Sequence, residues 1–224
     1  MISRPERGAL DWASGATATE LAPLVLAGQW TATDHPDHEV IAELAQRPYR
    51  EIKQTLSKWS GSGNPLERRG PVWDWNAWEF AWTRLAPSLD ANDAHRFLKV
   101  SEEVLGAADP ALELAPEDRW LANIRGKAHR YSPALRKGLA QSIVLLTVHG
   151  HLIPDVNGQA IANGFVRSLL SVQERAQRWI SLCRLLPDLA EAAPDDFLDS
   201  LEHLASDNTA ITALFTEGGI FGSS

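Results

Sequence analysis

The stretch from Asp37 to Trp75 constrains the fold more than any other part of the chain. Val40, Ile41, Leu44 and Ala45 recur at helical spacing behind Asp37, which suits an N-cap. Arg47-Pro48-Tyr49 ends that helix, because proline disfavours a helical residue before it. A second helix runs from Arg50 to Trp59, with Ile52, Leu56 and Trp59 on one face. After the loop Gly61-Ser62-Gly63-Asn64-Pro65, the segments Leu66-Glu67-Arg68-Arg69 and Val72-Trp73-Asp74-Trp75 flank Gly70-Pro71. Alternation across a glycine-containing turn reads as a small hairpin.

Upstream, Thr17-Ala18-Thr19-Glu20 opens a helix that continues through Leu21, Leu24, Val25 and Gln29, with Gly28 weakening its end, and Thr33-Asp34-His35-Pro36 breaks the chain before Asp37. Three helices followed by a hairpin predict a winged helix-turn-helix unit over residues 17–86. Residues 1–16 are polar and rich in small residues, which predicts a loosely ordered lead. The remaining pattern, 87–224, is helical. The expected fold class is therefore mainly α, a winged helix followed by an α-helical array or bundle.

Within that array Asn76 is a plausible N-cap for Ala77 to Ala86, with Trp78, Phe80, Ala81, Trp82 and Leu85 as core candidates. Asp90 caps a helix that turns Phe97, Val100, Val104 and Leu105 inward. Residues 107–116 read as a loop, and Glu117 to Ile124 as a further helix. Ser132-Pro133 opens a helix with proline at its first position, carrying Leu135, Leu139, Ile143 and Leu146 and stopping at Gly150. Another helix is expected over Phe165 to Leu186. The last begins at Pro194, where Asp195 and Asp196 suit the dipole and Phe197, Leu198, Leu201 and Leu204 form the apolar stripe.

With 224 residues, 44% of them hydrophobic, the chain can bury a sizeable core. The single cysteine, Cys183, excludes an intrachain disulfide, and its apolar neighbours Trp179 to Leu182 predict a buried, inert thiol. The N-terminus lacks a signal-peptide apolar region, and the longest strongly apolar run, Ile143 to Val148, is too short to span a bilayer. A cytoplasmic location with no membrane partner is expected. The net charge of −8 is uneven. From Pro187 to Ser224 there are eight acids and no Lys or Arg, whereas Arg47 to Arg69 holds six basic residues against Glu51 and Glu67. Arg119 to Lys137 holds six more and no acid. Such faces can steer partners, and packing of basic against acidic faces accounts for them without nucleic acid.

No catalytic constellation emerges, and no cofactor is implied. The chain contains no G-x-x-x-x-G-K-[ST], G-x-G-x-x-G or G-x-S-x-G. The adjacent pairs Glu102-Glu103 and Asp195-Asp196 diverge by about 100° on a helix and make poor acid/base dyads. His149-Gly150-His151 has weak metal spacing at a helix end, where histidine commonly meets the C-terminal dipole. Nine tryptophans are unusual for this length, and the cluster Trp73, Trp75, Trp78 and Trp82 reads as core. If the winged helix reads DNA, the second helix offers Arg50, Lys53, Gln54 and Ser57 opposite Ile52 and Leu56, and the hairpin offers Arg68 and Arg69.

Several segments together resemble a region of very large bacterial STAND-type or related P-loop ATPases, some linked to antiphage defence. They are Leu24-Val25-Leu26-Ala27-Gly28-Gln29-Trp30, Leu44-Ala45-Gln46-Arg47-Pro48-Tyr49, Val72-Trp73, Asp118-Arg119-Trp120-Leu121-Ala122, Tyr131 to Ala140 and Phe221-Gly222-Ser223-Ser224. The likeness covers nearly the whole chain from Leu21. It implies a winged helix and helical array lying after an NTPase core, in a polypeptide that continues past Ser224. It carries over no nucleotide-binding residue. The expected role is thus non-enzymatic, a regulatory, scaffold or sensor segment whose partner is the rest of a larger protein or an ATPase core. DNA binding through Arg50, Lys53, Arg68 and Arg69 is the alternative.

Overall fold

The computed structural model describes residues 11–171 and 175–217. The tail from Gly218 and the first ten residues of the expected lead lie outside them. At Trp12 the chain is already buried, edge-on to Phe80 with ring centroids 6.3 Å apart. Helix α1 opens at Gly15, ahead of Thr17, and runs Gly15–Val25, stopping short of Gln29 because Gly28 turns the chain at φ +69°.

The first part of the chain is α1, strand β1 (Trp30–Thr31), α2 (His35–Ala45), α3 (Tyr49–Lys58), and the hairpin β2 (Leu66–Arg69) and β3 (Val72–Trp75). The three strands form one antiparallel sheet in the order β1-β3-β2. Trp30 lies opposite Trp73 and Leu66 opposite Trp75, so indole rings line the sheet. Gly70 turns the hairpin at φ +61°, a left-handed conformation that glycine adopts without a Cβ penalty. Strand β1 was not foreseen, since two residues carry no alternation to detect.

Asp37 is not the N-cap of α2. Asp34 occupies that position, with Pro36 in the first turn. Asp37 is fully buried and serves as an acceptor: Thr31 N donates to Oδ2 at 2.8 Å, Ser132 Oγ to Oδ2 at 2.6 Å and Ser132 N to Oδ1 at 3.1 Å. A buried carboxylate is tolerated when donors surround it in this way. Arg47 ties three helices together by donating to Thr55 Oγ1 and to the Glu20 carbonyl.

The rest is helical: α4 (Trp78–Leu85), α5 (Ala91–Gly106), α6 (Pro133–His149), α7 (Gly158–Leu170), α8 (Arg175–Ser181), α9 (Leu186–Ala192), α10 (Pro194–Ala205) and α11 (Asn208–Glu217). Asp90 and Asp93 form a reciprocal capping box on α5. Ser132 caps α6 by accepting from Leu135 N, and Gly150 ends it. Asn76 does not cap α4. Its amide donates instead to the Asn64 carbonyl, closing the loop before β2. The helix expected over 117–124 is a 3-10 turn, Pro116–Leu121, continued by single hydrogen-bonded turns to Gly126. The helix expected from Phe165 to Leu186 is divided, since α7 already begins at Gly158 and closes at Ser171. Apolar periodicity persists across such a break, so it gave no sign of one.

One apolar core runs from Leu21 through Trp82 and Phe97 to Leu204. Helix α6 packs on both β1 and the later helices α7 and α9. The approach is close at Gly138, where a Cβ would lie 2.2 Å from the Ala27 carbonyl oxygen. Three expected core positions are exposed. Phe80 is in contact with solvent beside Trp12, and on α10 Leu198 and Leu201 face outward while Asp196, Ser200 and Leu204 are buried. Asp196 is neutralised there by Arg167 of α7, whose Nε donates to Oδ1 at 2.7 Å.

Candidate functional site

Helix α3 owes its orientation to a narrow apolar strip. Ile52, Thr55 and Leu56 are buried, and Arg50, Lys53, Gln54 and Ser57 all face solvent. Its first turn is anchored by Tyr49, whose hydroxyl accepts from Trp30 Nε1 at 3.2 Å. The His38 ring stacks on Tyr49 at 3.8 Å between centroids, and Lys53 Nζ lies 5.6 Å from the Tyr49 centroid. Burial raises the Tyr49 hydroxyl above its ordinary pKa and, in opposition to the bond to the Ala32 carbonyl, lowers that of His38. Lys53 is thus held over an aromatic layer at the outer face of the helix.

The hairpin arginines are exposed but engaged. Arg69 pairs with Glu67 on its own strand and with Asp74 across the hairpin, the latter at 3.0 Å. Arg68 Nε donates to the Gly70 carbonyl at 3.0 Å, and its guanidinium lies 6.0 Å from the Trp73 centroid. On α3, Arg50 has Glu51 at 4.0 Å. The six residues singled out from sequence are all exposed, and the charges of Arg50 and Arg69 are met by carboxylates.

A second surface lies on the turn at 116–126. Trp120 is 77% exposed and Ile124 79% exposed. The segment is braced by Arg125 to Asp118 at 2.8 Å and by an ion pair between Lys127 and Glu113. Trp120 departs from the core role expected of the tryptophans. Trp12, Trp30, Trp75, Trp82 and Trp179 are buried, and Trp59, Trp73 and Trp78 are packed against the core. Trp78 Nε1 donates to the Val25 carbonyl at 3.0 Å.

His149 Nε2 lies 3.0 Å from Glu79 Oε1 on α4, and His151 is exposed. Among the described residues no three His, Cys, Asp or Glu side chains gather around a common point. Cys183 is exposed, not buried as its neighbours suggested. It follows α8 in a turn that directs Leu182 into the core and leaves the thiol outside. No described helix is long and apolar enough to cross a membrane. No protein-family model, curated protein or solved structure matches the chain.

Proposed function

We propose that this chain is a non-enzymatic protein-interaction segment, a winged helix carrying a helical array, that packs beside a STAND-type ATPase core and restrains or relays its state. The winged-helix reading draws support from the element order helix, strand, helix, helix, strand, strand with sheet order β1-β3-β2. The observation that carries the interaction reading is the exposure of Trp120 and Ile124 on a braced turn. Covering both side chains would contribute on the order of 5 kcal/mol before the costs of association.

The test is a photo-crosslinking residue at position 120 in cells that express the protein naturally. Adducts to an ATPase, or to an ATPase region of the same polypeptide, support the reading. Crosslinks spread without preference over unrelated proteins defeat it.

DNA binding is the second reading, and the outward face of α3 favours it. Anisotropy of labelled duplex DNA decides the matter. Binding that falls steeply with salt and weakens in R50A/K53A makes α3 a reader. Absence of binding at low salt removes this alternative.

A further inference from the structure

A cleft of about 500 Å³ opens where the loop after α5, the first turns of α6 and the α8–α9 turn meet. Four cations line it, Arg119, Arg136, Lys137 and Arg184. Asp109 lies among them within the cleft and Asp188 beside it. Asp188 is committed to Lys137, with contacts of 2.8 and 2.6 Å. Asp109 accepts from Ala111 N at 3.0 Å.

Arg136 carries the argument further. Its Nη2 donates to the Ser181 carbonyl at 2.8 Å, which fixes the guanidinium at the cleft wall. Its Nε and the hydroxyl of the buried Ser181 have no hydrogen-bond partner among the described residues. No carboxylate forms an ion pair with Arg136 there either, and Asp109 is near enough only to favour its charge from a distance. Burial lowers the Arg136 pKa below its ordinary value, which marks the cost of holding this cation partly away from water. Pro133, in the first turn of the 17-residue α6, borders the same space, so the positive end of a helix dipole adds to the field. Leu112, Ile180 and Leu185 add apolar surface to the lining.

We propose that this cleft binds a small organic phosphate, its dianionic group met by Arg136, Arg184 and the Ser181 hydroxyl, its body resting on Leu112, Ile180 and Leu185. A phosphate monoester brings about −1.5 to −2 charge at neutral pH, enough to engage Arg136 and Arg184 together. Three acceptor oxygens suit donors arriving from separate segments better than the two of a carboxylate. The site goes beyond the interaction role, since it lies on other residues than Trp120 and Ile124.

The test exploits Cys183, the only cysteine in the chain, which is exposed and lines the cleft. Its reaction with a neutral dipyridyl disulfide is followed in the presence of phenyl phosphate, inorganic phosphate, and sodium chloride at equal ionic strength. Phenyl phosphate is expected to slow the reaction saturably and at lower concentration than inorganic phosphate, with chloride inert. R184Q, at an exposed position, raises the half-protection concentration about tenfold, the scale of one lost charge-assisted bond. S181A weakens protection in the same direction, and calorimetry of phenyl phosphate with C183S gives an affinity matching the protection curve. Protection equalled by chloride, or unchanged in both R184Q and S181A, overturns the site. Inorganic phosphate binding as tightly as phenyl phosphate overturns the organic body.

Discussion

Asp37 accepts both the backbone N–H and the hydroxyl of Ser132, at 3.1 and 2.6 Å, across 95 residues of sequence. The contact joins α2 to the cap of α6 and is closed on its other side by Thr31 N. Asp37→Ala strands three donors at once, two of them buried, and a loss of about 3 kcal/mol is expected. Ser132→Ala removes the α6 cap and one of those bonds, for about 1–2 kcal/mol. The double variant should lose less than the sum, and urea unfolding of the four proteins measures that coupling. Strict additivity would mean that the two side chains do not share one network.

Two glycines predict opposite outcomes. A Cβ on Gly138 would meet the Ala27 carbonyl oxygen at 2.2 Å and Gln29 N at 2.6 Å, both backbone atoms that cannot swing aside. Gly138→Ala should therefore destabilise by about 2–4 kcal/mol or prevent folding. Gly164, within α7, has nothing within 4 Å of its notional Cβ. Gly164→Ala should raise stability by about 0.5–1 kcal/mol through unfolded-state entropy and helix propensity. Thermal unfolding of both variants distinguishes the signs.

Burial depresses the pKa of His38 and of His129 below the usual 6.5. Above that pH both histidines are neutral, folded or unfolded. As pH falls below 6.5 the unfolded chain takes up protons that the folded chain resists, so stability drops until the folded values are passed. His129 Nδ1 accepts from Tyr131 N at 3.2 Å, a bond available only to the unprotonated nitrogen. His129→Gln should flatten the decline in unfolding free energy between about pH 6.5 and 5. An unchanged slope would show that His129 takes no part in it.

Trp120 and Trp82 separate surface from core. Trp82 is fully buried, and Trp82→Ala should cost about 3–5 kcal/mol. Trp120→Ser should change stability by no more than about 0.5 kcal/mol. A large loss in Trp120→Ser, seen by urea unfolding, would make that indole structural and remove the main support for the docking surface.

Local signals were the legible ones. Asp90, Ser132-Pro133 and Gly150 mark helix ends through chemistry that acts within a few residues, and the hairpin around Gly70-Pro71 follows the same logic. The outward placement of Arg50, Lys53, Gln54 and Ser57 followed from the period of Ile52 and Leu56. What escaped depends on contacts remote in sequence. Asp37 looks like a cap until Ser132 is brought beside it. Cys183 looks buried until the chain turns after α8. The phosphate cleft unites three segments, and the run of cations from Arg119 to Lys137 was its one visible trace.

Helix α6 gives these separate features a common mechanics. Within its cap and first two turns, Ser132 grips Asp37, Arg136 and Lys137 border the cleft, and Gly138 sits against the Ala27–Gln29 backbone. Such close fitting leaves no slack for the helix to slide past the β1 strand. At 1.5 Å rise per residue these contacts fall within about 10 Å of one helix, so the cleft, α2 and the β1 strand share a single rigid wall.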